Sequence, residues 1–310
     1  MRVLICCDIE GASSVNDYRQ IAPFWGNKGY EDCIRAITSD VNSAIRGLKR
    51  AGAISIDIFD GHGDGGNLRQ DMIEGDAVII SKDVPSLAKC KYDAVLLIGQ
   101  HACAGTADGF LSHTGGTDYT LNVNGKYIGE VANGAWLFGS YNTPAIMVTG
   151  DDAAIREAKA LLPGIEGVIV KKSLNRMETM CLPIEETSKD IEEKAFNSLK
   201  RLNNLKPFII EPPIKLEIEF INPGMAQMMQ FYVPKCNYKE DNVVSYIADE
   251  YEDIFKATMM ANLIASTFFT QSIMGEAYQI NGVAEFLQNK LIERLENWAI
   301  KKSPFPIVKY

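Results

Sequence analysis

The sequence predicts an α/β fold, a mostly parallel sheet covered by helices, followed by a second, smaller α+β domain. Three observations carry this. Short apolar segments alternate with longer stretches of helical periodicity. The apolar segments lack a wet face, as strands buried on both sides do. After about residue 205 the texture changes to alternating, proline-punctuated segments.

Residues 2–7 read as a buried strand that ends at Asp8 and Glu10. Residues 30–51 place Ile34, Ile37, Val41, Ala44, Ile45 and Leu48 at helical spacing, which predicts an amphipathic helix. A β-branched strand over 54–59 runs into the Gly-rich loop 60–67. Residues 94–98 form another apolar strand, followed by a loop carrying His101. Residues 145–149 are a further strand, and Gly150-Asp151-Asp152 supplies an N-cap for a helix through Leu162. Lys206-Pro207 and Pro212-Pro213 mark a boundary between an α/β domain over 1–205 and a smaller α+β domain over 206–310. In the latter, residues 216–221 alternate as a strand with one wet face. Residues 249–269 and 283–300 read as helices, the second with Val283, Phe286, Leu287, Leu291, Leu295 and Trp298 on one stripe.

The formal charge of -9 and the pI near 5.0 argue against nucleic acid, which needs a basic face. The apolar run 3–7 is too short for a signal sequence and meets Asp8 and Glu10 at once. The uncharged stretch 257–275 is broken by Asn262, Ser266 and Gln271, so a buried or subunit-facing helix is expected and not a membrane span. Seven cysteines with no CxxC pair suit reduced thiols in a cytoplasmic protein.

In a parallel sheet, ligands bind beyond the carboxyl ends of the strands. Three strands here end in metal-ligating residue types: Asp8 and Glu10, then Asp60 and His62, then His101. If the chain stays extended, Asp8 and Glu10 share a side. The whole chain has three histidines, His62, His101 and His113, all in loops of the first domain. Any one alone is an ordinary polar loop residue; together, opposite two carboxylates, they favour a shared zinc-like site. Glu130, in Tyr127-Ile128-Gly129-Glu130, is a further candidate, although by spacing alone it is one more loop glutamate.

Gly61-His62-Gly63-Asp64-Gly65-Gly66 also matches a dinucleotide-binding turn. Asp60 and Asp64 would repel a pyrophosphate, and no clear helix follows Gly66 to receive one. Ser112-His113 and Cys103 near His101 offer no nucleophile elbow. Cys6 and Cys7 lie in a core strand, where thiols act as small apolar groups.

Asp8-Ile9-Glu10-Gly11, Asp60-Gly61-His62, Gly99-Gln100-His101-Ala102, Ser112-His113 and Gly129-Glu130 recur in an order that resembles the DppA-type D-aminopeptidases, peptidase family M55. The likeness extends through Gly150-Asp151-Asp152 and Val170-Lys171 to the strand near residue 216. It implies a zinc aminopeptidase acting on short peptides with an N-terminal D-residue, by metal-activated water at a binuclear site. The family's metal ligands match Asp8, Glu10, His62, His101 and Glu130, with Asp8 bridging two zinc ions. Its active-site histidine matches His113, as acid–base, oxyanion stabiliser or nucleophile. The resemblance further implies a ring-like homodecamer. Phe59 and Gly61 stand where the family commonly has Asn and Ser, and Gln100 where it has an aromatic; the segment after Glu130 and the C-terminal helix also diverge. Two other classes stay open at this stage: a nucleotide-binding oxidoreductase using the loop 61–66, and a non-catalytic metal- or peptide-binding protein.

Overall fold

A computed structural model describes residues 1–23, 26–277 and 279–297. β1 (Arg2–Cys7) opens the chain, and α1 (Asn27–Ala51) follows. The predicted stripe of α1, from Ile34 to Leu48, is fully buried. The helix starts a turn before residue 30, because Lys28 and Gly29 carry no apolar period. It stops at Gly52, whose left-handed backbone lets its amide cap the Leu48 and Lys49 carbonyls.

β2 (Ser55–Asp60), β3 (Val78–Ile79), α2 (Val84–Ala88) and β4 (Ala94–Gln100) come next. The hairpin β5 (Tyr119–Val123) and β6 (Lys126–Ile128) leads into α3 (Glu130–Ser140). β7 (Ala145–Asp151), α4 (Asp152–Leu161), β8 (Glu166–Asn175), β9 (Glu178–Cys181) and α5 (Ile184–Lys200) continue the first half. Asp151 caps α4 by accepting from the Ala154 amide, as the Gly-Asp-Asp signal predicts. Beyond them lie β10 (Ile214–Phe220), α6 (Pro223–Tyr232), β11 (Asn237–Glu240), β12 (Val243–Ala248), α7 (Tyr251–Ala277) and α8 (Val283–Asn297). Trp298 and Ile300, expected on the last helix, lie outside the described residues, as does the side chain of Leu295.

Seven strands form one sheet in the order β3-β2-β1-β4-β7-β8-β9, parallel except for β8 with β9. The other five form an antiparallel sheet, β11-β12-β10-β5-β6. Helices α1 and α5 pack together over one face of the parallel sheet, whereas α2, α3 and α4 associate with one another. The core is built of Val3, Ile5, Ile56, Ile58, Leu96 and Ile98 against the α1 stripe and Ile191, Ala195 and Leu199 of α5. β10 shows the expected alternation, with Ile214, Leu216, Ile218 and Phe220 buried and Lys215 and Glu219 exposed.

The texture change near residue 205 falls between α5 and β10, inside the span of the antiparallel sheet. That second sheet takes two strands from before it and three from after it, so its core joins both halves. The compact units run from Met1 to Ala261 and from Asn262 onward. Among the described residues, no helix is long and apolar enough to cross a membrane.

Strand order reverses between β1 and β4: the chain adds β2 and β3 on one side of β1, then β4, β7 and β8 on the other. A crevice opens at such a switch point. Gly99 shapes it. At φ +76° it sits in the left-handed region within β4, and a Cβ there would lie 2.2 Å from the Asp8 carbonyl oxygen. Gly99→Ala should therefore lose about 1–3 kcal/mol to backbone strain alone, with a further loss from the clash. Urea denaturation checks this; an unchanged midpoint would mean that the β1–β4 crevice yields freely.

Candidate metal centre

Asp8 and Glu10 leave β1 through a tight turn, in which the Ala12 amide bonds the Ile9 carbonyl. The turn, and not an extended segment, brings both carboxylates to one place. His62 stands two residues past β2 and His101 directly after β4. Glu130 begins α3, so it is a helix residue and not a loop glutamate; the short β6 and its Gly129 cap hid that start from a periodicity reading.

The side chains converge. His62 Nδ1 is 3.1 Å from Asp8 Oδ1 and 3.2 Å from Glu10 Oε2. His101 Nε2 is 3.4 Å from Asp8 Oδ2 and 3.5 Å from Glu130 Oε1. The two oxygens of Asp8 thus face different imidazoles. His113 joins from the loop after β4, its Nε2 3.7 Å from Glu130 Oε1 and its ring stacked on His101 at 3.9 Å. Ligand atoms of Asp8, Glu10 and His101 form one tight group, and those of His101, His113 and Glu130 a second.

Backbone carbonyls fix each ring. His62 Nε2 bonds the Ile21 carbonyl at 2.9 Å, His101 Nδ1 the Ala102 carbonyl at 2.9 Å, and His113 Nδ1 the Leu111 carbonyl at 2.7 Å. Each bond turns the opposite ring nitrogen into the cluster, the usual arrangement of a metal-ligating histidine.

Charge states follow from the crowding. Burial pulls the His62 pKa down, but Asp8 and Glu10 outweigh it and raise it to about 11. Burial likewise opposes the charge on His101, and Glu130 and Asp8 lift its pKa well above the ordinary value. Glu10 and Glu130 move the other way: burial raises both, and the adjacent imidazoles overcome it, holding Glu10 far below the carboxylate range. Without other cations, protons on the imidazoles balance the carboxylates. Glu10 Oε2 and His101 Nε2 are buried and have no hydrogen-bond partner among the described residues. Three carboxylates and two or three imidazoles with two orphaned atoms aimed inward are a donor set that fits zinc.

Residues distant in sequence hold the loops. Lys171, fully buried, donates from Nζ to the Glu10 carbonyl at 2.8 Å and the Val15 carbonyl at 2.5 Å. Asp40 accepts from the Ser13 amide in the same turn. Glu157 on α4 accepts from the Cys103 amide at 2.7 Å and from the Gly129 amide at 3.3 Å, tying the His101 loop to the start of α3. Thr114 Oγ1 accepts from the Ala104 amide, linking the His101 and His113 loops. The sequence places Lys171 within the family likeness but gives it no role, and no local motif marks Asp40 or Glu157.

Asp60 is not part of the cluster. Its carboxylate accepts from the Asn67 and Leu68 amides and from the Asn67 side chain, closing the Gly-rich loop beneath His62. That loop is followed by a single 3-10 turn, Gln70–Met72, which offers no helix N-terminus to a phosphate. Burial pushes the thiols of Cys6 and Cys7 up, which suits inert core groups.

Comparison with known proteins gives the family. The sequence profile of the D-aminopeptidase family, peptidase M55, matches residues 1–260. A D-aminopeptidase of Bacillus subtilis (strain 168) is 29% identical over 236 residues, which cover 73% of this chain and 84% of that relative. The solved structure of the Zn-dependent D-aminopeptidase DppA from Bacillus subtilis, a self-compartmentalizing protease, superposes with a TM-score of 0.76 at 28% identity, over 84% of this chain and 98% of its own. With most of its length matched in sequence and in fold, the chain belongs to the D-aminopeptidase family, peptidase family M55, and is a metallopeptidase.

Proposed function

We propose that this protein is a zinc-dependent aminopeptidase that hydrolyses short peptides or amides with an N-terminal D-amino acid, at a site for two zinc ions. The observation that carries the reading is Asp8, whose Oδ1 faces His62 and whose Oδ2 faces His101. Asp8, Glu10 and His62 would hold one ion, and Asp8, His101 and Glu130 the other. Zinc supplies Lewis-acid chemistry there: it polarises a carbonyl and makes water nucleophilic near neutral pH.

His113 is the remaining group. About a fifth of its side chain is exposed, so a substrate can reach it, and the Leu111 carbonyl and the His101 ring fix its orientation. From there Nε2 would pass a proton to the leaving amine or stabilise the oxyanion. A nucleophilic histidine would add an acyl-imidazole intermediate that the reaction does not need.

The reading includes a closed homo-oligomer, a decamer on the family's pattern, with short peptides entering an internal chamber. Met259, Leu263, Phe269 and Ile273 of α7 are exposed in the single chain, which supports a subunit contact there. All seven cysteines are free, which suits the cytoplasm.

Metal analysis with paired D- and L-alanyl amides tests the core of this. About two zinc ions per chain and turnover of the D-amide are expected; active protein holding one ion or none overturns the binuclear site. Sedimentation should give a large closed oligomer, and a monomer at micromolar concentration contradicts it. His62→Ala and His101→Ala should each lose metal and turnover together. His113→Ala should keep zinc and fold, while turnover falls by about 10²–10⁴-fold. Zinc lost from His113→Ala would make it a ligand instead.

Metal removal has a pH signature. In chelated protein the His62 proton stands in for cations, with a folded pKa of about 11 against 6.5 unfolded. A raised pKa stabilises fully below pH 6.5, and that contribution is lost as pH climbs toward 11. Between these limits chelated protein should lose on the order of 1 kcal/mol per pH unit, and zinc-loaded protein should not. Parallel stability curves for the two forms would contradict the exchange of protons for metal.

A further inference from the structure

A cavity of about 180 Å³ opens beside the metal centre. Asp8 and Glu130 line it together with apolar side chains that include Phe59, Leu97, Leu137, Phe138 and Phe255. Among the described residues no lysine or arginine lines it, so an acidic side chain would find no partner there. Of its polar members, Asn133 is already engaged: its Oδ1 accepts from the Tyr251 hydroxyl at 2.9 Å. Gln100 adds one amide at the edge.

The space exists partly because a side chain is missing. Gly134 lies one helical turn beyond Glu130 on α3, on the same helix face. A Cβ at Gly134 would meet only Leu97 Cδ2, at 3.7 Å, an ordinary contact. The helix therefore tolerates a side chain here, and what it would occupy is the cavity next to the metal ligands.

Resting on the aminopeptidase reading, we propose that this cavity is the subsite for the side chain of the substrate's N-terminal residue. It takes uncharged, apolar groups, and Gly134 sets their size. With the reacting carbonyl at the Asp8–His101 cluster, the side chain on the carbon next to that carbonyl can reach the cavity. A snug apolar pocket discriminates by size: each methylene is worth about 10–200-fold in kcat/KM.

The test compares D-alaninamide with D-leucinamide on zinc-loaded wild type, Gly134→Ala, Gly134→Leu and Phe255→Ala, with zinc content and melting temperature as fold controls. The D-Leu to D-Ala ratio of kcat/KM should fall stepwise from wild type to Ala to Leu at 134, by at least about tenfold at the last. It should rise in Phe255→Ala. A merely structural role would scale both substrates together, and a ratio unmoved in folded variants overturns the subsite while leaving the aminopeptidase reading intact. If wild type hydrolyses neither amide, that reading fails, and saturation-transfer NMR still judges the cavity. D-leucinamide binding lost selectively in Gly134→Leu supports the subsite; no binding to wild type, or equal binding to both proteins, overturns it.

Discussion

Three carboxylates drawn together at the mouth of a parallel sheet are the constraint from which the rest of the site follows. Asp8, Glu10 and Glu130 crowd onto His62 and His101 where little water reaches Glu10 or His101. Bare negative charges at that spacing would each keep a large desolvation cost. Positive charge must enter, as protons on imidazoles or as metal, and a metal would also engage Glu10 Oε2 and His101 Nε2. Affinity for a hard-to-replace cation is therefore a property of the fold and not of one loop.

Holding such a cluster is work for residues outside it. The Glu10 turn is pinned by a buried ammonium, Lys171 on β8, and by Asp40 on α1. Burial drags the Lys171 pKa down to about 8, so its charge is kept at a cost. Asp40 is pushed up to about 6 by the same burial. Groups this expensive to bury are retained where they fix geometry. Here they fix the carbonyl of a proposed metal ligand, Glu10, and backbone groups of Ser13 and Val15 just after it. Glu157 does the same for the pair of segments that carry His101 and Glu130.

What the sequence discloses follows from how local each signal is. Apolar runs made β1, β4 and β7 legible, and the stripe on α1 was readable because the six residues repeat at one period. Strand-end placement was enough to group Asp8, Glu10, His62 and His101. Asp60 misled because a carboxylate that caps its own loop has the same spacing as one that binds metal. Helix α5 is rich in Glu and Lys with few aliphatics, so its buried Ile191, Ala195 and Leu199 make too thin a stripe. The β5–β6 hairpin did have a signal, Asn124-Gly125 with both residues at positive φ between alternating strands. Recognising it would have placed Gly129 at a helix cap and Glu130 at the first position of α3. Phe59, Gly61 and Gln100 all line the cavity, a convergence visible only in three dimensions.

That hairpin also explains why the site spans two sheets. Asp8, His62 and His101 hang from the parallel sheet, but Glu130 follows β6, whose partner β5 pairs with β10 in the antiparallel sheet. The position of Glu130 relative to His101 therefore depends on β5 staying in register with β10, a strand far along the chain. Glu157 constrains the same distance from α4 through two hydrogen bonds. A cation shared by Asp8 and Glu130 would link the two sheets, so metal binding and the packing of the antiparallel sheet would be coupled. Loosening either must weaken the other, because each restricts the same few ångströms between β1 and the start of α3.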